Sequence, residues 1–223
     1  MDPGPGIGGC YRRVMARYRM TRNAIRKSID TVASDDRQVA RALSRVGYPE
    51  TRRRPEGFQT LLRIIVGQQV SVSAATAIHG RVVEALGEDL SAARLLRLRE
   101  TTLKRAGLSA PKVRYARCLA RAICQGELDV DGLGRLSDEE AMVQIQAVPG
   151  LGRWSAEIYL MFSLGRPDLW PHADVGAMRG LQRIRGLAER PTPKQADALA
   201  EAFAPHRSAM ALLAWRCANA TAL

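Results

Sequence analysis

From about Arg22 onward the chain is punctuated at short intervals by residues that start and stop helices, and no stretch between them alternates apolar and polar positions as a half-buried strand does. Ser34-Asp35-Asp36 can cap a helix running through Val46, which Gly47-Tyr48-Pro49 stops. Arg52-Arg53-Arg54-Pro55 reads as a basic linker. Pro55 can open the next helix, with Phe58, Leu61, Leu62, Ile65 and Val66 on its apolar face. Ser71 can cap a helix to about Leu86, closed by Gly87, and a short helix from about Arg99 ends at Gly107. Pro111 begins another, with Val113, Cys118, Leu119, Ala122 and Ile123 on one side and Gly126 as its stop. Ser137 and Glu140 have the spacing of a capping box. Pro149-Gly150-Leu151-Gly152 then leads into an apolar helix from Arg153 to about Leu164, Asp174 precedes a further helix, and two more open at Pro193 and after Pro205. There is no internal repeat, and the pattern predicts an all-α fold.

Composition narrows the function classes. The 223 residues suit one large domain or two small ones, and 46% apolar content supports a packed core. Lys plus Arg number 34 against 22 Asp plus Glu, a formal charge of +12. That balance suits a polyanion, with nucleic acid ahead of membrane, although an Arg-rich proteome gives the same excess without any such partner. No run of 18 apolar residues exists to span a membrane, and Met1 to Met20 lack a signal-peptide core. Residues 1–20 are expected to be disordered or to be a mis-assigned start, with Met20 as the true beginning. Cys10, Cys118, Cys124 and Cys217 form no CxxC pair and no zinc-spaced cluster with His, as expected of inert thiols in a reducing cytoplasm.

The stretch Ala147-Val-Pro-Gly-Leu-Gly-Arg-Trp-Ser155 lies between two helical segments. Gly150 and Gly152 can take positive φ and admit a close backbone approach, and Leu151 between them can tuck inward. N–H groups of such a turn, at the start of a helix, can hold a phosphate without reading sequence. A plain helix-helix connection uses the same residues.

This stretch resembles the helix-hairpin-helix of the DNA glycosylase superfamily, and within it the 3-methyladenine DNA glycosylase II (alkylbase) branch. Four blocks carry the resemblance, in order: Phe58 to Ser73, Ser109 to Arg117, Val148 to Gly176 and Pro205 to Trp215. It implies two helical subdomains with a DNA-binding cleft between them. Residues 21–57 plus 167–223 would form one subdomain and 58–166 the other, with the helix-hairpin-helix over about 138–164. It further implies a monomer that binds double-stranded DNA containing damaged bases and acts in the cytoplasm on nucleoid DNA.

The resemblance places the catalytic carboxylate at Asp174. Many relatives carry an acid pair here, whose first member is Ala173 in this chain. Taken alone, Asp174 also reads as a helix cap, and Asp168, after Pro167, is the rival acid. A buried anion facing C1′ would stabilise the oxocarbenium-like state of N-glycosidic cleavage. By the same resemblance Trp154 and Trp215 line the base pocket, with Tyr159 and Trp170 as further candidates; core positions are the alternative. Some relatives place a pocket Tyr four residues after the first Trp, where this chain has Ile158, with Tyr159 next. A cationic alkylated purine would be drawn to indole faces. Gln69, beside Gln68, is expected to wedge into the duplex as the base flips out, the alternative being hydrogen bonding at a helix end. Gly150, Leu151, Gly152, Arg153, Lys112 and Arg179 are the phosphate-binding candidates. Strand-nicking relatives use a Lys just after the hairpin glycines. Here the position is Trp154, which implies a monofunctional N-glycosylase without AP lyase activity. With only Cys217 near the C-terminus, neither an iron-sulfur cluster nor zinc is expected. The family implies a monovalent cation on the hairpin carbonyls near Val148 and Gly150. The other readings are a non-catalytic helix-hairpin-helix protein and a glycosylase for deaminated bases. His172 sits close to Asp174 and can reach a phosphate or serve as a local hydrogen-bonding residue.

Overall fold

The structure is a computed structural model and describes residues 19–220. The expectation for residues 1–18 lies outside the described residues. Arg19 and Met20 are ordered, against the first of the two alternatives: the Arg19 N–H donates to the Gly165 carbonyl at 3.2 Å, and Met20 is buried.

The described residues form helices and no strand. In chain order these are α1 (Arg22–Asp35), α2 (Arg37–Val46), α3 (Phe58–Gly67), α4 (Val72–Leu86), α5 (Ala92–Arg97), α6 (Glu100–Arg105) and α7 (Ala110–Cys124). They continue with α8 (Asp138–Gln146), α9 (Arg153–Tyr159, prolonged by a π turn over Leu160–Leu164), α10 (Val175–Arg185), α11 (Pro193–Ala200) and α12 (Arg207–Asn219). The caps explain most boundaries. Ser71 accepts from the Ala74 N–H, and Ser137 and Glu140 close the capping box of α8.

Local expectations shift at four places. Asp36 caps α2, accepting from the Gln38 and Val39 N–H groups, whereas Ser34 and Asp35 finish α1. Pro55 does not open α3, because its carbonyl is held by the Thr60 and Ser163 hydroxyls and the helix starts only after Gly57, at φ 111°. Helix α5, capped by Ser91, was not expected. On α7 the buried face runs through Ala116 and Ala120, and Cys118 and Ile123 are half-buried at its margin.

Packing divides the helices into two groups. Helices α1, α2, α10 and α12 pack on one another, while α3 to α9 form the other set around α3 and α7. One apolar cluster runs through both, so the halves share a core. The α10–α12 crossing is close enough that a Cβ on Gly180 would lie 1.8 Å from the Ala214 carbonyl oxygen. Gly180→Ala must push these helices apart. It is expected to cost about 3 kcal/mol, read as a fall of roughly 10 °C in thermal midpoint. An unchanged midpoint would show that the crossing relaxes freely.

Candidate active site

The two helical groups enclose a cleft of about 440 Å³, whose wall includes Trp154, Phe162, Asp174 and Trp215. Asp174 is the N-cap of α10, and its Oδ1 accepts from the Ala177 N–H at 2.7 Å. The capping reading is therefore correct, and it is only part of the role. The same Oδ1 accepts from the indole Nε1–H of Trp215 at 2.8 Å, and Oδ2 accepts from that of Trp154 at 2.9 Å. Capping fixes the Asp174 backbone, and two indoles from different helices fix its carboxylate plane. Gly176 makes this possible: a Cβ there would lie 2.9 Å from Trp215 Cδ1 and 3.2 Å from Asp174 Oδ1.

The turn leading to Asp174 is held from behind. Ala173 sits at φ 57°, uncommon for a residue with a Cβ. Its neighbour His172 donates its backbone N–H to Glu157 Oε2 at 2.6 Å and bonds Asp197 Oδ2 through Nδ1 at 2.8 Å. Burial pushes the Glu157 carboxyl up, against the opposing pull of the His172 N–H and Arg153. His172 thus serves the local network. Asp168, the rival acid, is spent on a two-pronged ion pair with Arg207 at 2.8 and 3.0 Å.

The hairpin between α8 and α9 depends on its first glycine. Gly150 is at φ 93°, and a Cβ there would meet Tyr115 Cγ at 2.2 Å. Gly152 differs from expectation: it is extended, at φ −84°, as the N-cap of α9, and a Cβ there meets nothing within 4 Å. Leu151 is buried, as expected. Gln68, named beside Gln69 as a wedge residue, turns inward instead. Its side-chain amide donates to the Gly150 carbonyl at 2.8 Å and to Ser155 Oγ at 3.1 Å, strapping the α3–α4 loop to the hairpin. Gln69 is the exposed tip of that loop, at φ 54°, with exposed Val70 beside it. The Val148 carbonyl accepts from the Leu151 N–H at 3.0 Å, and the Gln68 amide is aimed at that of Gly150. Each of these oxygens thus has one protein donor, and each keeps a second lone pair.

Two pocket candidates fall elsewhere. Tyr159 is fully buried, and its hydroxyl accepts from the Gly57 N–H at 2.8 Å; burial pushes the phenol up to about 12. Positions four apart share a helix face, so Ile158 and Phe162 follow Trp154 into the cleft and Tyr159 points away from it. Trp170 is buried behind α9 against Phe203, with ring centroids 6.4 Å apart. Among the phosphate candidates, Arg153 pairs with Glu157 at 2.9 Å and Asp197 at 3.3 Å, and Lys112 donates to the Val66 carbonyl at 2.7 Å at the end of α3. Arg179 is exposed and has no ion pair among the described residues. The cleft also holds Arg52, Arg54, Arg63 and Phe162, which sequence reasoning left out. The Arg52-Arg53-Arg54 run was visible, but only the fold shows that it borders the cleft.

Comparison with known proteins bears on this arrangement. A family profile described as HhH-GPD superfamily base excision DNA repair protein matches residues 62–206. A Bacillus subtilis protein described as putative DNA-3-methyladenine glycosylase YfjP is 29% identical over 71% of this chain and 58% of its own length. This chain therefore spans little more than half of that relative. The Schizosaccharomyces pombe protein DNA-3-methyladenine glycosylase 1 is 29% identical over 72% of each chain. The solved structure of the S. pombe 3-methyladenine DNA glycosylase Mag1 in complex with abasic DNA superposes with a TM-score of 0.80. The two share 27% identity, over 85% of this chain and 95% of that one.

Proposed function

The chain belongs to the HhH-GPD superfamily of base excision DNA repair proteins, and we propose that it is a monofunctional DNA glycosylase that removes alkylated purines of the 3-methyladenine and 7-methylguanine type from duplex DNA. One observation carries this reading: the Asp174 carboxylate is held between two indole N–H groups on the wall of a cleft. The names of the relatives point to the same chemistry.

The target nucleotide is turned out of the duplex, with the Gln69 loop tip entering the gap and the hairpin N–H groups on a phosphate. The C1′–N bond breaks, and its electron pair leaves with the purine. Positive charge grows on the sugar, and Asp174 stabilises it through space. Water, oriented by Asp174, then adds through its oxygen to C1′ and gives up a proton to the carboxylate, which passes it to solvent. An alkylated purine leaves as a neutral base and needs little acid assistance. Its electron-poor ring is matched by Trp154, Phe162 and Trp215. No lysine lines the cleft among the described residues, and its cations are arginines, which stay protonated and cannot form a Schiff base. The protein acts as a monomer, and the chemistry as written requires no cofactor.

The direct test is incubation with methylated duplex DNA. Free 3-methyladenine or 7-methylguanine should appear, leaving abasic sites that break only on added alkali. No base release would leave a non-catalytic DNA-binding protein, and release from hypoxanthine duplexes alone would move the substrate to deaminated bases. Trp154→Phe keeps an aromatic ring and removes one donor to Asp174. Single-turnover release should slow about tenfold, the usual worth of a hydrogen bond to a charged group. An unchanged rate would deny Trp154 its orienting role.

A further inference from the structure

The cleft wall carries three guanidiniums, those of Arg52, Arg54 and Arg63, against the single carboxylate of Asp174. That carboxylate is already engaged by the two indoles and the α10 backbone. No acid lies within ion-pair distance of Arg52, Arg54 or Arg63 among the described residues, although Arg135, Arg153, Arg166, Arg185 and Arg207 each have one. Instead, Arg52 lies over the Trp215 ring, 5.4 Å from its centroid, and Arg54 over Phe162 at 5.6 Å. Those two rings are themselves 5.8 Å apart.

We propose that Arg52, Arg54 and Arg63 form a phosphodiester-binding site at the mouth of the cleft, separate from the hairpin, which grips a backbone phosphate next to the nucleotide turned in toward Asp174. This rests on the glycosylase reading for the identity of its ligand.

Three arguments support it. Clustered like charges without acids favour an anion, and burial together with the neighbouring Arg63 and Arg52 already pushes the Arg54 guanidinium down from its ordinary value. The only full negative charge on a DNA strand is the phosphate, whose oxygens match the guanidinium fork; a base offers none. Position is the third. Arg52 and Asn219 also line a neighbouring groove of about 720 Å³ whose wall includes Arg45 and Arg216 together with Glu50, so Arg52, at one edge of the cluster, stands where two hollows meet.

The site also has a consequence for the base. While Arg52 and Arg54 cover Trp215 and Phe162, a cationic purine meets guanidiniums where it needs ring faces. A phosphate held by the same two guanidiniums therefore competes with the rings for them.

The test is a coupling measurement on duplexes that hold a tetrahydrofuran abasic analogue. Each phosphate within two positions of the analogue is replaced in turn by an uncharged methylphosphonate. One replacement should weaken binding to the unaltered protein about tenfold. Arg52→Gln/Arg54→Gln should bind the intact duplex about tenfold more weakly and be indifferent to that same replacement. Arg52→Gln/Arg63→Gln alters only exposed side chains and repeats the cycle without touching the interior. If every methylphosphonate penalty persists at full size in both variants, the arginines hold no phosphate and the proposal falls. Failure of the glycosylase reading looks different: methylated DNA releases no base, yet the coupling between the arginines and one phosphate remains.

Discussion

Asp174→Asn is expected to slow single-turnover base release by a hundredfold or more while leaving affinity for abasic duplex nearly intact. The rate effect follows from removing the negative charge that faces the developing sugar cation, an electrostatic contribution that typically reaches 10²–10³ in rate. The substitution is also informative about geometry. Asn retains one oxygen, which can still accept from the Ala177 N–H and cap α10. Its amide NH₂ must then face an indole N–H, donor against donor, where Oδ2 now accepts from Trp154. Leaving that donor unsatisfied costs about 1–3 kcal/mol of stability. A folded protein with nearly normal DNA binding and almost no excision is the expected phenotype. Full excision by Asp174→Asn would remove the carboxylate from the mechanism, and loss of folding would make it a structural cap above all.

The second large effect concerns the hairpin, where the two glycines should behave oppositely. Gly150→Ala places a Cβ at φ 93° and drives it to 2.2 Å from Tyr115 Cγ. Left-handed strain of about 1–2 kcal/mol and the displacement of a packed ring together cost about 3 kcal/mol. The turn can relieve this only by opening, which also breaks the bond from Gln68 to the Gly150 carbonyl. Abasic-duplex affinity should fall tenfold or more together with thermal stability. Gly152→Ala faces no such barrier, since Gly152 is extended and a Cβ there meets nothing within 4 Å. The thermal midpoint should hold, and any loss of binding would report a direct clash with DNA at the α9 N-terminus. If Gly150→Ala binds abasic DNA as tightly as the parent, the hairpin is only a connector.

Why some residues were legible in advance and others were not has a physical answer. Capping and glycine stops act within a few residues, so Ser71, Ser137 and Gly87 mark helix ends in the sequence itself. Asp174 was legible as a cap from its own segment, and as a candidate acid only through the family resemblance. Tyr159 was misplaced because one residue turns a helical side chain by about 100°, out of the cleft and into the core. Gln68 and Gln69 are adjacent, yet one straps the hairpin and the other stands at the loop tip; nothing local separates an amide that has found a carbonyl from one that faces solvent. The Gly150 carbonyl suggested for a cation likewise has a protein donor, Gln68, that comes from another segment.

Local order alone determined the all-helical character, most helix boundaries and the Pro-Gly-x-Gly turn ahead of Asp174, because those depend on backbone preferences over a few neighbouring residues. Only the folded chain decided that Trp154 and Trp215, far apart in sequence, reach the two oxygens of one carboxylate, and that a basic linker lies over the rings beside it. Such convergence is a property of how helices cross, and the crossing angles are set by side-chain packing summed over the whole core, a quantity that no short window of residues contains.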